Sequence, residues 1–579
     1  MTRDRKPGAA STLACAALLL AACTAETTES GDPPPMDPHA PTSTQFATVD
    51  IPYHSTIRTE SDGDLWPAAW ADDGALYTAN GDGRGFSSSQ WQDIVVSRID
   101  GTPEEGLMGE RIVAGPRVAP VWSDPQEYNR KPTGMVAVDG NGDGQDELYM
   151  AVQDLRMPPS PHAFNDAPAA TIVRSDDYGR TWTWPEQPLF SDYVFTTVMF
   201  LDLGQSNALS GVVEPGGEDY VYAYGLDNNW RDSFSDVVPD PVDLYLARVP
   251  AASIQDRGTW EFFAGTDGAA GEAPIWSSDV GERIAVLHDD RRVYPELAVD
   301  GPINSTVISQ GGIVYDAPIE RYLYTSWTEF TWELYESPTP WGPWTLFARK
   351  DFGPYPWYGA GNPEGWINGG YAVTTPSKFI SEDGLQLWAQ ANWFVGPANP
   401  DEQTTYHYAL RPITLTLRDA DATPFEAEPG TDLADPASGS GAVVIDTHSH
   451  LGAVAALTDA DPGTSVSSWN GTPKQRDEWG VTFPQPVAVD TVVMAPGPTD
   501  GEGGWFEGVP TVEIRVDGVW QEAEAVTVSP AYPGDASAVD AESYRFTFSE
   551  AVVDGVRVAG TPGGAGHVTT VSALEIPAP

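Results

Sequence analysis

The 579 residues carry 84 Asp and Glu against 30 Lys and Arg, a formal net charge of −54 and an isoelectric point near 4.1. A surface this acidic repels phosphate, which excludes electrostatic binding to nucleic acid or anionic lipid. The 41 % hydrophobic content, with 21 Trp, 22 Tyr and 19 Phe, excludes general disorder, because acidic disordered chains are poor in aromatics. The 57 Gly and 52 Pro fit short strands joined by turns, with aromatic surfaces left over for ligands.

The N-terminus reads as a targeting signal over residues 1–22. Arg3, Arg5 and Lys6 precede a short apolar run ending in Leu20-Ala21-Ala22-Cys23, too short for the ~20 apolar residues a membrane span needs. Leu-Ala-Ala-Cys resembles the bacterial lipoprotein box, which implies lipidation at Cys23 and an extracytoplasmic, membrane-anchored chain. Cys15 falls in the discarded segment, so no cysteine remains for a disulfide, a nucleophile or a zinc site. Residues 23–45, rich in Thr, Pro, Asp and Glu, read as a flexible tether.

Residues 46–418 alternate as short strands with almost no helical period, too long a run for one sandwich. Five units can be marked, each opening with a two-strand hairpin. They are Leu65–Trp70 with Ala75–Asn80, Gly134–Val138 with Glu147–Val152, and Val198–Leu201 with Tyr220–Tyr224. Gly312–Tyr315 with Arg321–Trp327, and Pro376–Ile380 with Leu385–Gln390, complete the set. Repetition of this kind predicts a five-bladed β-propeller.

Three local motifs accompany the hairpins. Ser175-Asp176-Asp177-Tyr178-Gly179-Arg180-Thr181-Trp182 resembles the sialidase Asp box, a structural hairpin remote from catalysis. Asp139, Asn141, Asp143, Gln145 and Glu147 fall at the spacing of a calcium loop, Gln145 through its carbonyl, and predict a structural calcium ion. Tyr335 to Trp344, with Ser337-Pro338 and Gly342-Pro343-Trp344, resembles a turn of arabinanase- and xylosidase-type propellers. With Tyr294-Pro295-Glu296 and Pro376–Ile380, the region resembles a family of five-bladed propellers related to the endo-D-arabinanases.

In a propeller, residues before each inner strand and after each second strand share one face around the axis. That face is expected to gather Asp64, Trp66, Asp82 and Arg84 from the first blade, and Asp227, Trp230 and Arg231 from the third. Glu296 would join from the connection into the fourth, and Trp366 from the connection into the fifth. Carboxylates and guanidiniums take sugar hydroxyls while aromatic rings stack on C–H faces, and glycosidic cleavage needs one protonated and one ionised carboxyl. Asp64 is the first candidate, because the resemblance implies a base or nucleophile at the start of the first inner strand. Asp227, Glu296 and Asp82 follow. The related enzymes carry Asp-Pro there, whereas this chain has Asp64-Leu65-Trp66-Pro67.

A Pro/Gly/Ala/Asp stretch over 419–441 reads as a linker. Residues 442–579 resemble the discoidin or coagulation-factor C-type galactose-binding β-sandwich (jelly roll), on Asp459-Ala460-Asp461, Trp479 to Phe483 and the closing Ser572-Ala573-Leu574-Glu575-Ile576. Trp505, in a Gly-rich loop, is its candidate sugar-stacking residue.

The expected whole is an all-β, lipid-anchored monomer with no organic cofactor, its partner a polysaccharide. It is either a glycoside hydrolase acting on a furanoside-rich polymer with an accessory binding module, or a non-catalytic glycan-binding surface protein. A third reading is an adhesion scaffold in which both modules bind protein.

Overall fold

The computed structural model describes residues 41–52, 57–216, 218–228, 238–268, 273–293, 305–328, 331–352, 370–393, 406–445, 454–459, 461, 463–469, 473–500 and 502–579. The chain is all-β: a five-bladed propeller followed by a β-sandwich.

Blade 1 carries its inner segments Asp62–Asp64 and Ala68–Trp70 on Leu76–Gly85, followed outward by Gln92–Thr102 and Gly106–Ala114. Blade 2 is Tyr128–Val138, Glu147–Arg156 and Ala170–Ser175, its edge extended by bridges from Arg174 to Thr183 and from Ala170 to Phe190. Blade 3 runs Thr197–Asp202, Tyr220–Leu226, Asp243–Pro250 and Glu261–Thr266; blade 4 runs Gly312–Asp316, Arg321–Trp327, Thr331–Ser337 and Thr345–Asp351. Their inner strands pair in parallel, Leu201 with Ile313 and Asp202 with Val314. Blade 5 is closed by the chain's first strand: Phe46–Asp50 pairs with His407–Leu417, which pairs with Gln386–Trp393. Joining the two ends of the propeller in one blade satisfies edges that would otherwise stay open.

Alternation with a period of two sends apolar residues to both faces of each blade, so the core lies in layers between blades. Ala79, Val96, Met135 and Met150 fill one such layer, and Ala151, Phe200, Ala223 and Phe262 another. Much of the aromatic content expected at the surface is spent here. Trp66, Trp260, Trp327 and Trp332 are among the largest fully buried side chains.

The first hairpin closes as expected. Asp73 Oδ1 accepts from the Ala75 amide at 3.0 Å, and Gly74 sits at φ +79°, a conformation that favours glycine. In the Ser175–Trp182 hairpin the Asp177 carboxylate accepts from Ser175 Oγ (2.9 Å), the Thr181 amide (2.8 Å) and Thr181 Oγ1 (2.8 Å). Trp182, buried, donates its Nε1 to the Gly179 carbonyl at 2.9 Å.

Three expectations are corrected. Pro376–Ile380 is not a strand: Ser377–Phe379 is a 3-10 turn. Pro376 has no N–H to pair, while the Ser377 amide and hydroxyl both bond the Asp202 carboxylate of blade 3, at 2.7 and 2.6 Å. The segment 419–441 is not a free linker. Phe425 bridges Val487, the Leu433 amide donates to the Ile576 carbonyl at 2.8 Å, and Leu433 and Ala434 are core residues of the sandwich. The expected tether ends early, since the Thr42 and Ser43 amides both donate to the Leu346 carbonyl of blade 4 (2.9 and 2.8 Å).

The sandwich is built on two long bulged strands, Asp477–Pro496 and Tyr544–Pro562, flanked by Phe506–Val516 and Thr570–Glu575. It contacts the propeller through buried charges: Arg515 donates to the Ala47 carbonyl, and Lys474 Nζ lies 3.8 Å from Asp351 Oδ2. No helix among the described residues is long and apolar enough to cross a membrane.

Candidate active site at the propeller axis

Three side chains from two blades meet where the first inner strand begins. Lys131, in the inner strand of blade 2, holds its Nζ 2.5 Å from Asp82 Oδ1 and 4.0 Å from Asp64 Oδ1. Those two distances keep the two Oδ1 atoms within about 6.5 Å of one another. Asp64 is 7 % exposed and Lys131 2 %, whereas the side chain of Asp82 is 24 % exposed.

The backbone around the three residues is shaped to bring them together. A Cβ on Gly63 would stand 1.9 Å from Asn80 Nδ2, and one on Gly81 would stand 2.4 Å from Asp64 Oδ1. Leu65, Trp66 and Asp82 all adopt positive φ, at +77°, +58° and +38°. Non-glycine residues in that region cost about 1–3 kcal/mol each and gather at functional sites.

Burial drives the Asp64 carboxyl up to about 7, against the opposing pull of Lys131, with the negative field of Asp82 adding to the rise. Burial alone would lower the Lys131 ammonium, but Asp64 and Asp82 outweigh it and hold it above the ordinary lysine value. Two carboxyl groups and one ammonium therefore share the site, and Asp64 is the member that keeps a proton near neutrality. The Tyr406 phenol is raised well above its usual value, first by burial and then by Tyr371, Asp64 and Asp82, which sets it beside the same carboxylates. Neither Lys131 nor Tyr406 was among the expected site residues. Lys131 precedes the expected strand Gly134–Val138 and falls inside the observed one, Tyr128–Val138, so no sequence signal pointed to it.

The remaining candidates separate. Arg84 pairs with Asp62 at 3.2 Å, next to Asp64. Trp66 is fully buried, its Nε1 donating to the Gly63 carbonyl at 2.8 Å and its ring edge-on to Tyr408 at 5.2 Å, so it offers no stacking face. Asp227 accepts from the Phe195 amide at 2.7 Å and is ion-paired with Arg283, so blade 3 itself engages both its oxygens. Trp505 is half-buried against the sandwich core, and a Cβ on Gly563 would stand 2.2 Å from its Nε1; it is packed, not a projecting tip. Glu296, Trp230, Arg231, Trp366 and Cys23 lie outside the described residues.

At the opposite end of blade 2, oxygen atoms of Asp139, Asp143 and Glu147 lie within 4.8 Å of one another. The loop is wound around them: Asp139 accepts from the amides of Gly142 (2.7 Å) and Gly144 (2.8 Å), and Glu147 from that of Gly140 (2.8 Å). Asn141 turns its amide nitrogen toward Glu147 and Asp143. The Gln145 side chain donates to the Asp176 carbonyl at 3.0 Å, which commits it away from the cluster. Glu147, nearly inaccessible, is raised by burial although the Gly140 amide and Arg174 oppose the rise. A buried carboxylate with two others converging on it suits a hard cation with oxygen ligands.

No curated protein matches the chain. Among solved structures, a GH43_1 enzyme from Xanthomonas citri complexed with xylotriose is 14 % identical, with 64 % of this chain and 91 % of that chain covered, at a TM-score of 0.34. A putative hydrolase from Bacteroides ovatus is 11 % identical, covering 62 % and 87 %, at a TM-score of 0.37. A family 32 carbohydrate-binding module from C. perfringens NanJ in complex with galactose is 16 % identical, covering 23 % and 90 %, at a TM-score of 0.19. The family model described as "Domain of unknown function (DUF4185)" matches residues 63–311, the part of the chain that holds Asp64, Asp82 and Lys131.

Proposed function

We propose that the protein is a glycoside hydrolase acting on a furanoside-rich, arabinan-type polysaccharide, with the sandwich as an accessory glycan-binding module. The observation that carries this reading is the Asp64–Lys131–Asp82 centre: a carboxyl raised to about 7 and a second carboxylate held by the same ammonium. Asp64 is the proton donor to the leaving oxygen, and Asp82 is the nucleophile or base. This reverses the role expected for Asp64, because burial favours its neutral form. Asp227, engaged by Arg283, is not the acid.

The spacing favours retention. Retaining glycosidases hold their carboxyl groups about 5–5.5 Å apart and inverting ones about 6.5–9.5 Å, and the lysine bridge keeps these two below the upper range. The chain works outside the cytoplasm, tethered by a lipid on Cys23, so Cys23→Ala is expected to move it from the membrane fraction to the soluble one. A calcium ion held by Asp139, Asp143 and Glu147, with Asn141 after an amide flip and the Gln145 carbonyl, supplies only rigidity.

The test is a panel of bacterial and plant arabinans incubated with the full chain, with products read by proton NMR. Cleavage with retained anomeric configuration is expected. Glycan binding without any cleavage would replace this reading with the non-catalytic one.

A further inference from the structure

Three buried amide side chains, from blades 2 and 5 and the lead into blade 4, each have one atom without a hydrogen bond among the described residues. Gln310, 1 % exposed, donates Nε2 to the Pro132 carbonyl at 3.2 Å, and its Oε1 is unpaired. Blades 4 and 2 are not neighbours, so this side chain reaches across the axis. Gln153, fully buried, accepts from Thr197 Oγ1 at 2.8 Å through Oε1 and leaves its Nε2 unpaired. Asn392, also fully buried, accepts from the Tyr371 amide at 2.8 Å through Oδ1 and leaves its Nδ2 unpaired.

All three stand level with the carboxylate pair. Pro132, which takes the Gln310 bond, follows Lys131 directly, and Gln153 is the cross-strand partner of Lys131. In blade 5, Gln390 donates to the Trp66 carbonyl at 2.7 Å. Two residues along the same strand face, Asn392 comes level with Asp64. Burying a polar atom unpaired costs stability, and a native protein that tolerates several at one place has a use for them.

We propose that Gln310, Gln153 and Asn392 form the floor of a sugar subsite over the propeller axis. Each sugar hydroxyl is both donor and acceptor. The Gln310 oxygen accepts from one, and the amide nitrogens of Gln153 and Asn392 donate to its neighbours, so the floor reads hydroxyl positions while Asp64 and Asp82 meet the glycosidic bond. The inference rests on the reading of that centre as a sugar site.

The test is calorimetric titration of the full chain with a linear α-arabinofuranose tetrasaccharide, with cleavage of arabinan followed in parallel. Gln310→Met and Asn392→Leu are each expected to weaken binding and raise KM by about tenfold, the weight of one good hydrogen bond, with melting temperatures within a few degrees of wild type. Should either variant fail to fold, Gln153→Met carries the same test, since it frees only the rotatable Thr197 hydroxyl. Wild-type affinity in the folded variants, or no binding of the tetrasaccharide by the wild type, would overturn the subsite. Binding that the variants lose, with no cleavage by any form, would leave the subsite standing and remove the hydrolytic reading instead.

Discussion

Asp64 and Asp316 are two buried carboxyls pushed up to about 7, and they differ in what stands beside them. For Asp64 an ammonium and a second carboxylate share the site; for Asp316, burial dominates and the backbone opposes it. A carboxyl whose folded value lies above its unfolded one binds more protons when folded. It favours the folded state at acid pH, and that contribution is lost as pH rises from about 4 through 7. Asp64→Asn and Asp316→Asn are therefore both expected to raise stability at pH 8, on the order of 1–3 kcal/mol, less so at pH 5, and to add little at pH 4. Only Asp64→Asn is expected to abolish turnover. Thermal melts at these pH values with a parallel assay check this, and a destabilised Asp64→Asn at pH 8 would mean that its folded value is not raised above the unfolded one. Asp64 was legible in the sequence because the hairpin pattern put it at the start of an inner strand. Lys131 was not, because the alternating pattern marked only Gly134–Val138 as the inner strand, whereas the strand begins at Tyr128.

At the scale of elements, hairpins were the most readable feature, since alternation and turn residues act over a few positions. Four of the five inner strands fall where expected. The fifth fails through a contact 175 residues away in sequence, Ser377 on Asp202, which no local pattern carries. The 139–147 loop is a second local device, its Asp139 already bonded to the Gly142 and Gly144 amides. If calcium binds there, it stabilises the folded form by mass action. A chelator is expected to lower the melting temperature, added calcium to restore it, and Asp143→Ala to erase the response. A melting curve indifferent to calcium would leave the loop an acidic turn.

For the molecule as a whole, composition located the fold class but not the boundary between its parts. The Pro- and Gly-rich stretch 419–441 has linker composition, yet the few apolar residues within it, Phe425 and Leu433, decide its place against the sandwich. Composition also misjudged the aromatics, because packing between five blades consumes large rings that a single sandwich would leave outside. Among the described residues, Asp64, Asp82 and Lys131 bring charges from two blades to one place, and turnover depends on how they share a proton. The direct measurement is the pH dependence of kcat/KM for arabinan cleavage by the wild type, Asp64→Asn and Asp82→Asn. Wild-type activity is expected to fall as pH rises through about 7, as the Asp64 proton is lost, with a loss of about 10²–10⁴-fold or more in each variant. Undiminished cleavage by Asp64→Asn, or wild-type activity that rises through pH 7, would contradict this.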